Sequence, residues 1–161
     1  MIREMKPSDS KSVLNIYAIG LETRIATFET RVPSWSNWDL NHHKHSRFVY
    51  LENELILGWA ALSTTSKRKV YSGVAELSIY VDTKHIGKGI GSQLMEHLIA
   101  FSEAEGIWTL FSSVFLENMT TLELHKKFGF RKIGKRERIA QLDGEWRDTL
   151  LLERRSENMG S

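Results

Sequence analysis

The chain has 161 residues, 41% hydrophobic and 10% aromatic, which suits one domain with a real core. Its formal charge of +2 is too small to argue for nucleic acid or an anionic membrane surface, and the absence of cysteine excludes a disulfide framework and acyl transfer through a thiolate. No apolar run reaches the length of a membrane span and MIREMKPSDS lacks the apolar core of a secretion signal, so a cytoplasmic protein is expected.

Taken in order, Ile2 to Met5 reads as a short edge strand, and Pro7, Ser8 and Asp9 read as a helix start. Val13, Leu14, Ile16, Tyr17 and Leu21 then outline one apolar helical face. TRIATFET is threonine-rich and without period, hence a loop. SWSNWDLNHHKHS reads as a short helix whose Trp35 and Trp38 pack inward or line a cleft, core packing being the plainer role. His42, His43 and His45 raise the question of a metal, because His42 and His45 share a helical face. No cysteine or acidic cluster accompanies them, so a solvated surface is the preferred reading and no metal is expected.

RFVYLEN and ELILGWAALS are two apolar runs joined at Asn53-Glu54, the pattern of a hairpin. STTSKRKVYSG is a polar, basic connection into VAELSIYVD. Alternation along that strand places Ala75, Leu77, Ile79 and Val81 on one face and Glu76, Ser78 and Tyr80 on the other, so a carboxylate stands mid-strand. Next comes HIGKGIGSQLMEHLIAF, with Gly87, Gly89 and Gly91 at alternate positions and Ile90, Leu94, Leu98 and Phe101 at helical spacing. A glycine loop running into a helix N-terminus gathers amide N–H groups and the positive end of the helix dipole. Such a loop suits an anion, with Lys84 and Lys88 adding charge beside it, and a plain tight turn is the alternative until its context is weighed. WTLFSSVF is a further strand, ENMTTLELHKKFGF a helix from near Asn118 to Gly129, and the chain finishes as two strands around Asp143-Gly144. The result is one mixed α/β domain over residues 1–155, with 156–161 as a frayed, disordered tail.

The glycine spacing separates rival phosphate binders. A dinucleotide fingerprint needs glycine or alanine where Ser92 or Leu94 stands, and a Walker loop needs a hydroxyl residue soon after Lys88, where Gly89 follows. Both fail. VAELSIYVD, HIGKGIGSQL and ENMTTLELHKKFGF, in this order and spacing, resemble the GNAT superfamily of acetyl-CoA-dependent N-acetyltransferases, and more closely its phosphinothricin acetyltransferase-like branch. The resemblance runs from near Ile2 to about Arg154.

That resemblance implies a largely antiparallel central sheet, flanked by helices, with acetyl-CoA in a cleft where a central strand pair splays. The pantetheine arm would pair with the backbone of Ile79, Tyr80 and Val81. The pyrophosphate would meet Gly87, Lys88, Gly89, Ile90, Gly91 and Ser92, and the Asn118 side chain would hydrogen-bond the cofactor besides serving as a helix cap. The chain departs from the family at Ile86, where glutamine or arginine is usual, which predicts weaker coenzyme binding.

N-acetylation needs a neutral amine, so an ammonium must lose its proton. Glu76 is the candidate base, both because burial on a central strand raises a carboxyl pKa and because the branch has glutamate there. His125 occupies the position that would protonate the leaving thiolate, the alternative being a packing role, and a backbone N–H near Val81 would hold the oxyanion. With no cysteine, direct attack in a ternary complex is expected. By resemblance the acceptor is a small amino-acid-like amine of the phosphinothricin, methionine sulfoximine or methionine sulfone type. Arg68 and Tyr71 would meet its acid group, and Phe28, Glu29 and Trp146 would form pocket walls. The resemblance also implies a homodimer. Acetylation of a protein N-terminus or another amine, and a non-catalytic acetyl-CoA sensor, are the alternatives.

Overall fold

A computed structural model describes residues 1–159. The strands are β1 (Ile2–Glu4), β2 (Phe48–Glu52), β3 (Leu55–Thr64), β4 (Val74–Val81), β5 (Thr109–Phe115), β6 (Arg131–Leu142) and β7 (Glu145–Arg155). The helices are α1 (Ser10–Glu22), α2 (Trp35–Leu40), α3 (Ile90–Ala104) and α4 (Met119–Lys127). The element order is the one the apolar periodicities predict.

The strands form one seven-stranded sheet in the order β1-β2-β3-β4-β5-β7-β6. Every neighbouring pair is antiparallel except β4 and β5, which are parallel. The parallel pair follows from the connection: α3 crosses over between the two strands, as a parallel link requires. Elsewhere tight turns suffice. Asn53 and Glu54 join β2 to β3 with φ of 51° and 67°, and Asp143 and Gly144 join β6 to β7 with φ of 52° and 82°, both pairs having the positive φ that a two-residue hairpin asks for.

The sheet carries a core on each face. On one, Phe48, Leu62, Ala75 and Leu77 pack against Ile90, Leu94 and Leu98 of α3, with Leu122 and Leu124 of α4 alongside. On the other, Val13 and Ile16 of α1 and Trp38 of α2 cover Val49, Trp59 and Ala61. The α1 contact is close because of Gly20, where a Cβ would lie 2.6 Å from the Tyr80 ring. Phe101 departs from its expected inward place. It is 44% exposed, because α3 has by then reached the sheet margin, and its ring rests on Phe48 and His97.

Within the stretch expected as a frayed tail, Ser156 N–H donates to Trp108 O at 2.8 Å and Asn158 Nδ2 to Glu103 Oε2 at 3.0 Å. Residues 160 and 161 lie outside the described residues.

Candidate active site

The site begins where two strands part. β4 pairs with β3 from Ala75 opposite Thr64 to Val81 opposite Gly58, yet it pairs with β5 only from Val74 to Glu76, opposite Thr109 to Phe111. Beyond that point β5 stays with β7 as far as Phe115 opposite Thr149. Leu77 to Val81 and Ser112 to Phe115 therefore turn a backbone edge with no strand partner toward each other. A cavity of about 1150 Å³ fills the gap and is lined by both segments. Ile79, Tyr80 and Val81, the stretch expected to meet the pantetheine, are in its wall.

The glycine loop closes one end. Gly87 and Gly89 have φ of 89° and 77°, and a Cβ at either would meet nothing within 4 Å, so glycine is required there by backbone conformation and not by space. Gly89, in the left-handed region, is the N-cap of α3, and the first intrahelical bond runs from Gln93 N–H to Gly89 O at 3.1 Å. The amides of Ile90, Gly91 and Ser92 are left for an anion. Lys88 does not line the cavity; its ammonium is 3.8 Å from Glu52 and 3.0 Å from Nδ1 of His85, which does. A lysine not foreseen from the sequence takes the nearer place: Lys127, at the end of α4, lines the cavity and donates to Ser92 Oγ at 3.2 Å.

Strand register then sorts the reacting groups by face. Glu76 sits opposite Phe111 on the α1 face of the sheet, together with Ser113, Phe115 and Thr149. Among the described residues its carboxylate makes no hydrogen bond or ion pair within 4 Å. Burial raises its pKa, with the positive charge of Arg136 acting against that shift. Ser112 and His125 occupy the opposite, α3 face. His125 is buried, with Nδ1 2.7 Å from Thr121 O and Nε2 2.8 Å from Ser112 Oγ. A carbonyl only accepts, so Nδ1 carries the proton. Burial lowers the ring's pKa, and in the neutral tautomer with Nδ1–H the lone pair on Nε2 accepts from the Ser112 hydroxyl. The expectation for His125, proton donor to the leaving thiolate or packing residue, meets a ring held between Thr121 O and Ser112 Oγ, where it orients the Ser112 hydroxyl.

The loop between α1 and α2 roofs the α1 side of the cavity. Phe28 lies edge-on to Phe115 at 4.7 Å, and Glu29 and Arg31 also line the cavity. Asn118 ties this roof to α4, since its Oδ1 accepts from Thr121 N–H at 3.3 Å and its Nδ2 donates to Ile25 O at 3.2 Å. Arg68 and Tyr71, expected at the acceptor's acid group, and Trp146, expected as a pocket wall, stand elsewhere. Arg68 lies over the Tyr71 ring at 5.5 Å on an exposed turn between β3 and β4, and Trp146 is 58% exposed on the face of β7 away from Thr149. None of the three lines the cavity. Of the histidines expected on a solvated surface, His42 instead lines the cavity, stacked on Trp38 at 4.0 Å with its Nδ1 2.6 Å from Trp38 O. Among the described residues no group of three His, Cys, Asp or Glu is placed to hold a metal.

Known proteins share this arrangement. The profile of the Acetyltransferase (GNAT) family matches residues 13–130. The Bacillus subtilis protein YwnH is 31% identical over 158 residues, which covers 95% of this chain and 97% of YwnH. An L-methionine sulfoximine/L-methionine sulfone acetyltransferase of Pseudomonas aeruginosa is 29% identical over 61% of this chain and 57% of its own length. The crystal structure of a GNAT superfamily phosphinothricin acetyltransferase from Sinorhizobium meliloti in complex with acetyl-CoA superposes with a TM-score of 0.86, at 25% identity, covering 96% of this chain and 87% of that one. The parted parallel strands, the glycine loop at the head of α3 and the profile match over residues 13–130 lead to one conclusion: the chain belongs to the GNAT family of acetyltransferases.

Proposed function

We propose that the protein transfers the acetyl group of acetyl-CoA to the amine of a small amino-acid-like acceptor of the phosphinothricin or methionine sulfoximine type. The observation that carries this reading is the parting of β4 and β5 directly after Glu76 and Phe111, which brings the glycine loop and a half-buried carboxylate to one cavity. The donors at Ile90, Gly91 and Ser92, with Lys127 beside them, suit the pyrophosphate. The free edge of Ile79 to Val81 suits the amides of the pantetheine arm. The residues present therefore fit acetyl-CoA, which supplies a thioester carbonyl open to attack. The relatives named for methionine sulfoximine and phosphinothricin support the acceptor class.

In this reading Glu76 takes the proton of the acceptor ammonium on the α1 face. Its raised pKa brings it nearer the amine's, which eases the transfer. Phe28 and Glu29 border the acceptor, and Arg31 is the guanidinium in the cavity wall toward which an acid group turns. Ser112, oriented by His125, faces the thioester from the α3 side. Attack is direct, in a ternary complex. A cytoplasmic location is proposed with it; no helix among the described residues is long and apolar enough to cross a membrane. A homodimer is proposed on the length of β6, an edge strand of 12 residues, beside exposed Ile133, Ile139 and Trp146.

The test is release of free CoA across a panel containing phosphinothricin, methionine sulfoximine, methionine sulfone, a polyamine, an aminoglycoside and a peptide N-terminus. Turnover confined to the first three, with intersecting initial-rate lines, is the expected result. Turnover only with the others moves the acceptor class, and parallel lines replace direct attack with a covalent route.

A further inference from the structure

Only two buried side-chain polar atoms are left without a hydrogen-bond partner among the described residues, Trp38 Nε1 and Thr149 Oγ1, and both residues stand in the wall of the same cavity. Buried polar groups in folded proteins are nearly always paired, so an orphan in a ligand cavity points to a partner that the ligand brings. The two orphans differ in what they can do. The Trp38 ring is stacked between Trp35 at 4.9 Å and His42 at 4.0 Å and is fixed. Thr149 is branched at Cβ, and its hydroxyl and methyl are close in size. A turn of about 120° about χ1 moves the hydroxyl to the next staggered position, toward the cavity, without moving the backbone.

Its position tells which part of a ligand it would meet. Thr149 is 2% exposed and lies opposite Phe115, on the sheet face that carries Glu76 and Ser113. From Ser113 to Phe115 the strand advances about 6.8 Å, roughly the reach of an unbranched amino-acid side chain. An acceptor whose amine attacks in the gap beside Ser113 and whose side chain runs along β5 therefore ends at Phe28, Phe115 and Thr149. Two of these are aromatic rings in edge contact at 4.7 Å, so the Thr149 hydroxyl is the polar group of that end wall.

We propose that Thr149 is a specificity-determining residue whose hydroxyl donates a hydrogen bond to an oxygen at the far end of the acceptor side chain, as in a sulfone, sulfoximine or phosphinate. The proposal rests on the amino-acid acceptor reading above. It is tested by kcat/KM for L-methionine sulfone and for L-methionine, which share one carbon–sulfur skeleton, with wild type, Thr149→Val and Thr149→Ser at saturating acetyl-CoA. Valine keeps the shape and removes the hydroxyl. The expected result is a preference of wild type for the sulfone and a loss of about tenfold in Thr149→Val. The loss falls on the sulfone alone and is carried by KM, while Thr149→Ser keeps the preference. A melting temperature for Thr149→Val at or above that of wild type accompanies it, because an unpaired buried hydroxyl has been removed. Equal changes for both acceptors, or none, overturn the inference and leave the acetyltransferase reading standing. A wild type that acetylates neither amino acid but other amines instead overturns the acceptor reading and this inference with it.

Discussion

Asn118 spans two parts of the site with one side chain: Oδ1 caps α4 by accepting from Thr121 N–H, and Nδ2 donates to the carbonyl of Ile25, 93 residues earlier in the chain. The amide thus couples the helix on the cofactor side to the loop that roofs the acceptor side. Arg147 supports the same loop by donating to Arg24 O at 3.1 Å while its guanidinium lies over the Phe115 ring at 4.5 Å.

Aspartate at 118 separates the two duties. Asn118→Asp keeps an oxygen for the cap and loses the donor to Ile25, so its helix should remain while its acceptor loop loosens. The expected outcome is a raised KM for the amine with little loss of melting temperature. Asn118→Ala loses both contacts and should in addition lose about 1 kcal/mol of stability, the usual worth of an N-cap. Steady-state kinetics in both substrates, beside thermal melts, read the difference. Equal KM effects in the two variants agree with this account, whereas an unchanged amine KM in Asn118→Asp contradicts it.

Glu76→Gln removes the base and keeps the shape. Turnover at neutral pH should fall by about 10²-fold or more, the usual contribution of a positioned general base, with the KM for acetyl-CoA nearly unchanged. Because burial raises the carboxyl pKa above its ordinary 4.5, the wild-type rate should decline on the acid side at a pH above that value, and the decline should vanish in the variant. Turnover that survives Glu76→Gln assigns the proton to water.

Much of this site is readable along the sequence because it is built from local patterns. The alternation of VAELSIYVD places Glu76 opposite the core, and the glycines of HIGKGIG announce a left-handed turn into α3. What the sequence does not carry is contact between distant segments. Lys127 reaches Ser92 from 35 positions away and Thr149 comes to the cavity through the β5–β7 register, so neither has a local signature. The same limit explains why Arg68, Tyr71 and Trp146 stand outside the cavity: sequence order gives the strand they adjoin but not the direction in which an exposed turn leaves the sheet. For His125, residue type alone indicated a proton donor. The tautomer follows only from Thr121 O and Ser112 Oγ, one on each side of the ring.

Gly89→Ala isolates the loop. At φ of 77° a Cβ meets no neighbour, so the cost is backbone strain, about 1–2 kcal/mol for an L-residue held in the left-handed region. The variant relieves that strain by pulling the α3 N-terminus out of shape, which should raise the KM for acetyl-CoA several-fold and leave the amine KM and the saturated turnover close to wild type. Acetyl-CoA titrated by calorimetry into both proteins measures it. Equal affinity in the two would show that the amides of Ile90, Gly91 and Ser92 do not hold the cofactor.

His125 also sets a pH dependence of stability. Its folded pKa is lowered from 6.5, chiefly by burial, and that of His42 is lowered for the same reason. The unfolded chain therefore binds protons more readily than the folded one as acid is added. The stability associated with these neutral rings is fully present above about pH 6.5 and is lost as pH falls through 6.5 toward the folded values. Urea midpoints should hence be flat from pH 8 to 7 and decline from pH 6.5 to 5. His125→Phe should be less stable at pH 8 by about 1–3 kcal/mol, since Ser112 Oγ and Thr121 O lose a buried partner, yet it should decline less steeply in acid because one of the rings whose pKa is lowered, His42, His43, His97 and His125, is gone. If its urea midpoint falls between pH 6.5 and 5 as steeply as in wild type, His125 is protonated in the folded protein, and Nε2 then has a proton to pass to Ser112.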